Sequence, residues 1–337
     1  VIGKPYLDPE TGRDVGSGTY PVVKFKIPVD TNLVRSNGTV NPGDEVLSEL
    51  RIDLPKDKTT PNRSGITRND LIILNIIASN KWKRPIYFTS PYNELGFGQY
   101  LRKDGLSYRL VPVMPKGSQQ NWLVHRTLRE VGLGGTSIRD NNDSVIYGNL
   151  MNKFRFGGAN LKNIYFDEEN RRHLLNIRGL YGEAAGNLAD AGRTEEAKKL
   201  IEKIEEGILP DNLPYAMVSR YGSHNQNAIQ YLEACYKAGK KDVAEKVRLA
   251  LRKDLEQQKA YYIAMNGGNL PDLTRLGQDN NTSMFRAMIT EYQINEALLV
   301  VLDEVEKRYS PEKQAKQPCT EKQAQPVENK AKPDSTK

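Results

Sequence analysis

"DEENRRHLLNIRGLYGEAAGNLADAG", residues 167 to 192, carries the signals for both ends of a helix. Asp167 stands where an N-cap side chain accepts from the first free amides, and Gly192 supplies the positive φ that stops a helix. Between them, apolar residues recur at helical spacing. The next run, "RTEEAKKLIEKIEEGILP" at 193 to 210, has acidic residues in its first turn, where the helix dipole favours them, and stops at Pro210. A helical hairpin follows. "NAIQYLEACYKAGKKDVAEKVRLALRKDLEQQ" then repeats the scheme, because Ala238-Gly239 and Ala244 echo Ala191-Gly192 and Ala197 at a shift of 47 residues.

Small residues at those points let paired helices approach closely. The arrangement resembles the tetratricopeptide pattern, with Tyr181, Ala185, Gly192, Ala197 and Pro210 near its usual positions. The shift is longer than the usual repeat of about 34 residues, so the copies are degenerate. A last helix is expected from Ser283 to Tyr309, closing the stack. The tail at 310 to 337 has almost nothing apolar to bury and is expected to be disordered.

Towards the N-terminus the pattern changes. Residues 1 to 18, rich in Gly, Pro and Asp, read as a loop or disordered lead-in. "VVKFKI" reads as a strand from about Val22 to Ile27, ended by Pro28, and "RSNGTVNPGD" as turns. Thr67 with Asp70 three residues later forms a helix start. The run "LIILNIIA" behind it reads as a largely buried helix that stops before Trp82. "RPIYFTS" and "LSYRLVPV" read as strands, with Tyr87 and Phe88 packing into the core. The expected fold is α+β: a small α/β module at 19 to 118, then a helical tetratricopeptide-like repeat domain at 119 to 309.

The 337 residues suit two domains, and 38 % hydrophobic with 27 % charged residues describes a folded, water-compatible chain. The longest apolar run is interrupted by Asn75 and falls short of the roughly 20 residues that cross a bilayer, so no span is expected in this chain. The opening residues lack a secretory signal pattern. The chain is therefore either cytoplasmic or, as the favoured expectation, a piece of something longer. A net charge of +7 is spread among 42 acidic residues without a basic stripe, so nucleic acid is not an expected partner. Cys235 and Cys319 give no disulfide framework.

The search for chemistry returns little. His125, His173 and His224 lack the close spacing of a zinc site, and no phosphate loop, dinucleotide fingerprint or nucleophile elbow occurs. The glycines of "GLGG" and "FGG" read as loops. Adjacent acids in "FDEEN" and "TEEA" could serve glycoside hydrolysis, but both lie at helix starts, where acids are favoured for stability. No catalytic residue and no cofactor or metal ligand is expected. Trp82, flanked by Lys81, Lys83 and Arg84, either closes the end of the apolar helix or faces a partner.

Several strings carry a family resemblance. "TRNDLIILNIIASNKWKRPIYFTSP" (67–91), "YLRKDGLSYRLVPV" (100–113), "NLMNKFRFGG" (149–158) and "IYFDEENRRHLLNIRGLYGEAA" (164–185), with "KFKIPVDTNLVRSNGTV" (24–40), resemble the C-terminal soluble region of a family of multi-pass membrane proteins of Gram-negative bacteria. That family is related to protein O-mannosyltransferases, of the GT-C glycosyltransferase type. The resemblance implies a parent whose membrane half transfers a lipid-linked sugar with acids lying outside this chain. It also implies a periplasmic C-terminal half, tethered to the inner membrane, that ends in tetratricopeptide-like helices. The expected partners are that membrane half and acceptor proteins or peptides. Trp82, Arg84, Pro85, Tyr87, Tyr108, Arg109, Asn152, Lys153 and Phe154 carry the signature, as structural or docking residues. Two other readings stay open: a free-standing helical-repeat adaptor, and a soluble carbohydrate-active enzyme built on acids such as Asp167 and Glu169.

Overall fold

The computed structural model describes residues 6–7, 14–15, 24–53, 68–90, 97–114, 122–133, 141–271 and 283–309. Thr67, Val22, Val23, Cys319 and the tail fall outside them. The chain is mixed helix and sheet, with small antiparallel sheets first and a helical C-terminal region after.

Among the described residues, the first half holds three small sheets where one was expected. β1 (Tyr6–Leu7) and β2 (Asp14–Val15) form a short hairpin inside the stretch read as a lead-in. β3 (Lys24–Pro28) pairs antiparallel with β4 (Glu49–Asp53), setting Phe25 against Ile52 and Ile27 against Leu50. Period-two alternation sends Leu50 and Ile52 into the core. Pro28 is tolerated as the last strand residue, opposite Glu49. Between these strands α1 (Thr31–Ser36) begins at Asp30, whose side chain accepts from the Leu33 amide at 3.0 Å, and buries Val34.

The third sheet is formed by β5 (Tyr87–Phe88), β6 (Leu101–Lys103) and β7 (Tyr108–Leu110), with β7 in the middle. Both strands read from the sequence are shorter than expected. A bridge between Val46 and Val113, and the Leu47 amide donating to Pro112 O at 2.8 Å, tie this sheet to the β3–β4 ladder. α2 (Arg68–Asn80) lies beside them. Its expectation needs correction: Asp70 and Ile77 are buried, but Leu71, Ile72 and Ile76 are exposed. A helix this apolar satisfies only one side here.

The second half comprises α3 (Leu123–Glu130), α4 (Asp143–Asn152), α5 (Glu168–Asp190), α6 (Thr194–Gly207), α7 (Ser223–Lys237), α8 (Lys241–Met265) and α9 (Ser283–Tyr309). Asp167 caps α5, its side chain accepting from the Asn170 amide at 2.8 Å. The α5–α6 and α7–α8 turns match bond for bond. Arg193 N donates to Leu188 O at 2.8 Å and Gly192 N to Ala189 O at 3.0 Å; 47 residues later, Lys240 N donates to Cys235 O at 2.9 Å and Gly239 N to Tyr236 O at 3.0 Å. Each is a Schellman closure with glycine at the left-handed position, φ +78° at Gly192 and +74° at Gly239. α5 packs on α6 and α7, α7 on α8, and α8 on α9.

Buried apolar residues form two large clusters without a shared member, one in each half. Among the described residues, polar contacts join the halves. The Asn142 amide donates to Lys103 O at 2.9 Å, Asn142 Nδ2 to Asn41 Oδ1 at 3.2 Å, and Asn141 Nδ2 to Glu183 Oε1 at 3.2 Å, while Lys103 Nζ pairs with Glu183.

Candidate functional site

The joint at the end of α2 is built around an inverted tryptophan. Lys81 and Trp82 are successive non-glycine residues at positive φ, +47° and +61°, a conformation costing about 1–2 kcal/mol each. Burying a ring of this size in the cluster that also holds Ile77 and Leu50 recovers a comparable amount, roughly 1.5–3 kcal/mol. Two hydrogen bonds fix the bend: Trp82 Nε1 donates to Pro28 O at 2.8 Å, and Asn37 Nδ2 donates to Trp82 O at 2.6 Å. Asn80 holds the other side of the turn, donating to Arg84 O at 2.6 Å and accepting from the Arg84 amide at 3.3 Å. With the indole turned inward, Lys81, Lys83 and Arg84 stand exposed around it, and Pro85 is half-buried.

Beyond the joint, Tyr87 is exposed, contrary to the core position expected of it, because successive strand residues face opposite sides and Phe88 takes the side packed on the core. Its ring lies under the Arg109 guanidinium, 5.6 Å from the centroid, and Tyr87 and Arg109 are cross-strand partners. Arg109 is buried; its Nε donates to Asp104 Oδ2 at 2.5 Å and its Nη1 to Gly38 O at 2.6 Å. Burial pushes the Asp104 carboxyl up, against the pull of that guanidinium. Tyr108, half-buried, faces Phe88 across the ladder. Asn152, Lys153 and Phe154 sit elsewhere, at the end of α4. Asn152 Nδ2 donates to Gly148 O at 2.9 Å, Lys153 is the exposed C-cap, and Phe154 meets Tyr181 edge-on at 6.3 Å. The structure thus gathers Trp82 through Arg109 in one module and leaves the other three residues in the helical half.

Sequence reasoning missed a second cluster, where α3 lies on α7 and α9. The fully buried Glu233 carboxylate accepts from the Leu123 amide at 2.9 Å and the Val124 amide at 2.8 Å, capping α3 from another helix. Trp122, just before α3, donates its indole N–H to Asn187 Oδ1 at 3.1 Å and stacks with Lys237 Nζ at 4.3 Å from the ring centroid. A Cβ on Gly186 would fall inside that ring, so only glycine fits there. The side of the stack formed by α5, α7 and α9 is therefore filled by the chain's own segment. One signal for it was present: Glu233 interrupts the buried run Tyr231–Leu232–Glu233–Ala234–Cys235.

The remaining candidates have ordinary partners. Glu195 accepts from Lys198 at 2.6 Å and Glu196 from Arg193 at 2.5 Å, and these hydrogen bonds hold both carboxyls below the usual carboxylate range. A carboxylate held ionised at the surface has no proton to give a leaving group. Glu169 pairs with Arg172 at 2.5 Å and His173 at 3.2 Å, and Asp167 is engaged as a cap. Burial pushes the His125 and His224 imidazoles down, and His224 Nε2 contacts Pro214 O at 3.0 Å. Among the described residues, no group of three or more His, Cys, Asp or Glu is placed to hold a metal ion. Nor is any helix long and apolar enough to cross a membrane.

Residues 7–127 match the family model described as TMEM260-associated domain 2. The match spans the module built around Trp82 and runs into α3 as far as Thr127. No curated protein matches the chain, and no solved structure matches it. What the chain resembles is thus a domain associated with a membrane protein, over its first part alone.

Proposed function

We propose that the chain is a non-catalytic domain of a membrane-embedded glycosyltransferase of the protein O-mannosyltransferase kind, lying on the periplasmic side. The observation that carries this reading is the match of residues 7–127 to a TMEM260-associated domain. In this reading an α/β domain at 19–118 forms the joint to the membrane half. A tetratricopeptide-like domain at 119–309 stiffens the assembly, and the twin turns at Gly192 and Gly239 support its repeat character.

Of the two roles open to the helical half, support and capture of acceptor protein, its geometry favours support. The face formed by α5, α7 and α9 already holds Trp122 and α3. The signature residues divide accordingly: Trp82 and Arg109 hold the module in shape from within, while Phe154 packs on Tyr181 in the helical half.

Sugar transfer to periplasmic proteins is the test, measured for the whole membrane protein with and without residues 122–309. Loss of transfer with the membrane half still inserted is the expected result. Undiminished transfer would remove the reading.

A further inference from the structure

The side of α2 turned away from the module's core is apolar and carries no acid. At 3.6 residues per turn, Leu71, Ile72, Asn75, Ile76 and Ser79 share that side, and Leu71, Ile72 and Ile76 are 36, 51 and 52 % exposed. The helix has one acidic residue, Asp70, and it is buried on the opposite side. Immediately past the C-terminus come Lys81, Lys83 and Arg84, all exposed, in a bend that the Trp82 bonds to Pro28 and Asn37 hold rigid. Asn80 ends α2 about 6 Å along the axis from Ile76, so the cations of the bend adjoin the apolar ridge in the chain.

We infer that this surface docks on an anionic lipid bilayer. Isoleucine and leucine side chains enter the boundary between headgroups and acyl chains, and the three cations meet lipid phosphates. Size argues for lipid over protein. The three exposed apolar side chains offer roughly 250 Å², well under the about 800 Å² per partner that a stable protein contact takes. A bilayer has no such threshold, because its apolar layer accepts side chains singly and its surface charge acts on each cation independently. The bend supplies pre-organisation: with the indole buried, the backbone presenting Lys81, Lys83 and Arg84 is fixed before contact. This inference rests on α2 and its bend and holds whether or not the chain serves a sugar transferase.

Co-sedimentation of the 337-residue chain with vesicles tests it, using phosphatidylcholine with phosphatidylglycerol against phosphatidylcholine alone, at low and high salt. Binding is expected on the anionic vesicles only, weakening as salt rises. Replacing Lys81, Lys83 and Arg84 together by Gln is expected to weaken binding about a hundredfold, near fivefold per cation. An Ile72→Ser, Ile76→Ser double variant, its fold checked by circular dichroism, is expected to bind less at both salt concentrations. Wild type that stays in the supernatant with both kinds of vesicle overturns the inference, as does binding that neither variant weakens. Self-association of the free chain that Ile76→Ser abolishes also overturns it, since a second copy would then be the occupant.

Discussion

A single buried carboxylate fastens α3 to the helical stack. Glu233 receives two backbone amides and the Tyr309 hydroxyl, the last at 3.2 Å, with Lys237 Nζ 3.6 Å away. Removing it strands those donors in the core, so Glu233→Ala is expected to cost about 3–5 kcal/mol, read as a lower midpoint in urea unfolding. Retention of the wild-type midpoint would show that water replaces the carboxylate. Two imidazoles make stability depend on pH. Burial holds His125 and His224 below their ordinary value of 6.5, so the unfolded chain binds protons more readily than the folded one. The stability from these neutral rings is present above the unfolded value and lost as pH falls through the folded values. Thermal midpoints are therefore expected to drop between about pH 7.5 and about pH 5.5, with a smaller drop in His224→Gln. Equal drops in both proteins would exclude His224 as a source.

The helix-ending turns are the elements most legible in the sequence. Ala191-Gly192 and Ala238-Gly239 gave the hairpins and their register because a Schellman turn demands glycine at one position, a local requirement independent of packing. Gly192→Ala and Gly239→Ala are each expected to cost about 1–2 kcal/mol, additively because the turns are separate. The midpoint of the double variant checks this; one silent substitution would break the equivalence of the two turns. Elements whose existence depends on distant partners were not legible. α3 starts at Trp122 with no side-chain cap of its own, and its cap arrives from Glu233 over a hundred residues away. β4 and β6 are short, and their burial is decided by the strands beside them. In α2 an apolar run is as consistent with a buried helix as with one carrying an exposed ridge, since composition alone does not say how many sides are covered.

At the scale of the molecule, two large apolar cores are linked, among the described residues, by amide hydrogen bonds and the Lys103–Glu183 ion pair around Asn142. Such a seam transmits position well and cooperativity poorly. Two separable transitions are expected in scanning calorimetry, and a single transition with matching calorimetric and van't Hoff enthalpies would contradict independent cores. Little of a candidate site was legible, and the physical reason is partnering: of the acids read as possible catalysts, Asp167 is a helix cap and Glu169, Glu195 and Glu196 stand in surface ion pairs. The bend around Trp82 stood out as unusual in sequence, but its inward indole is set by Pro28, 54 residues away in the chain. Under the function proposed above, this chain positions an assembly and the bond-making acids lie elsewhere. The most direct measurement is the rate of sugar transfer by the whole membrane protein with Glu168, Glu169, Glu195 and Glu196 all changed to Gln. The account expects an unchanged rate in the folded variant; loss of transfer with the fold intact would contradict it.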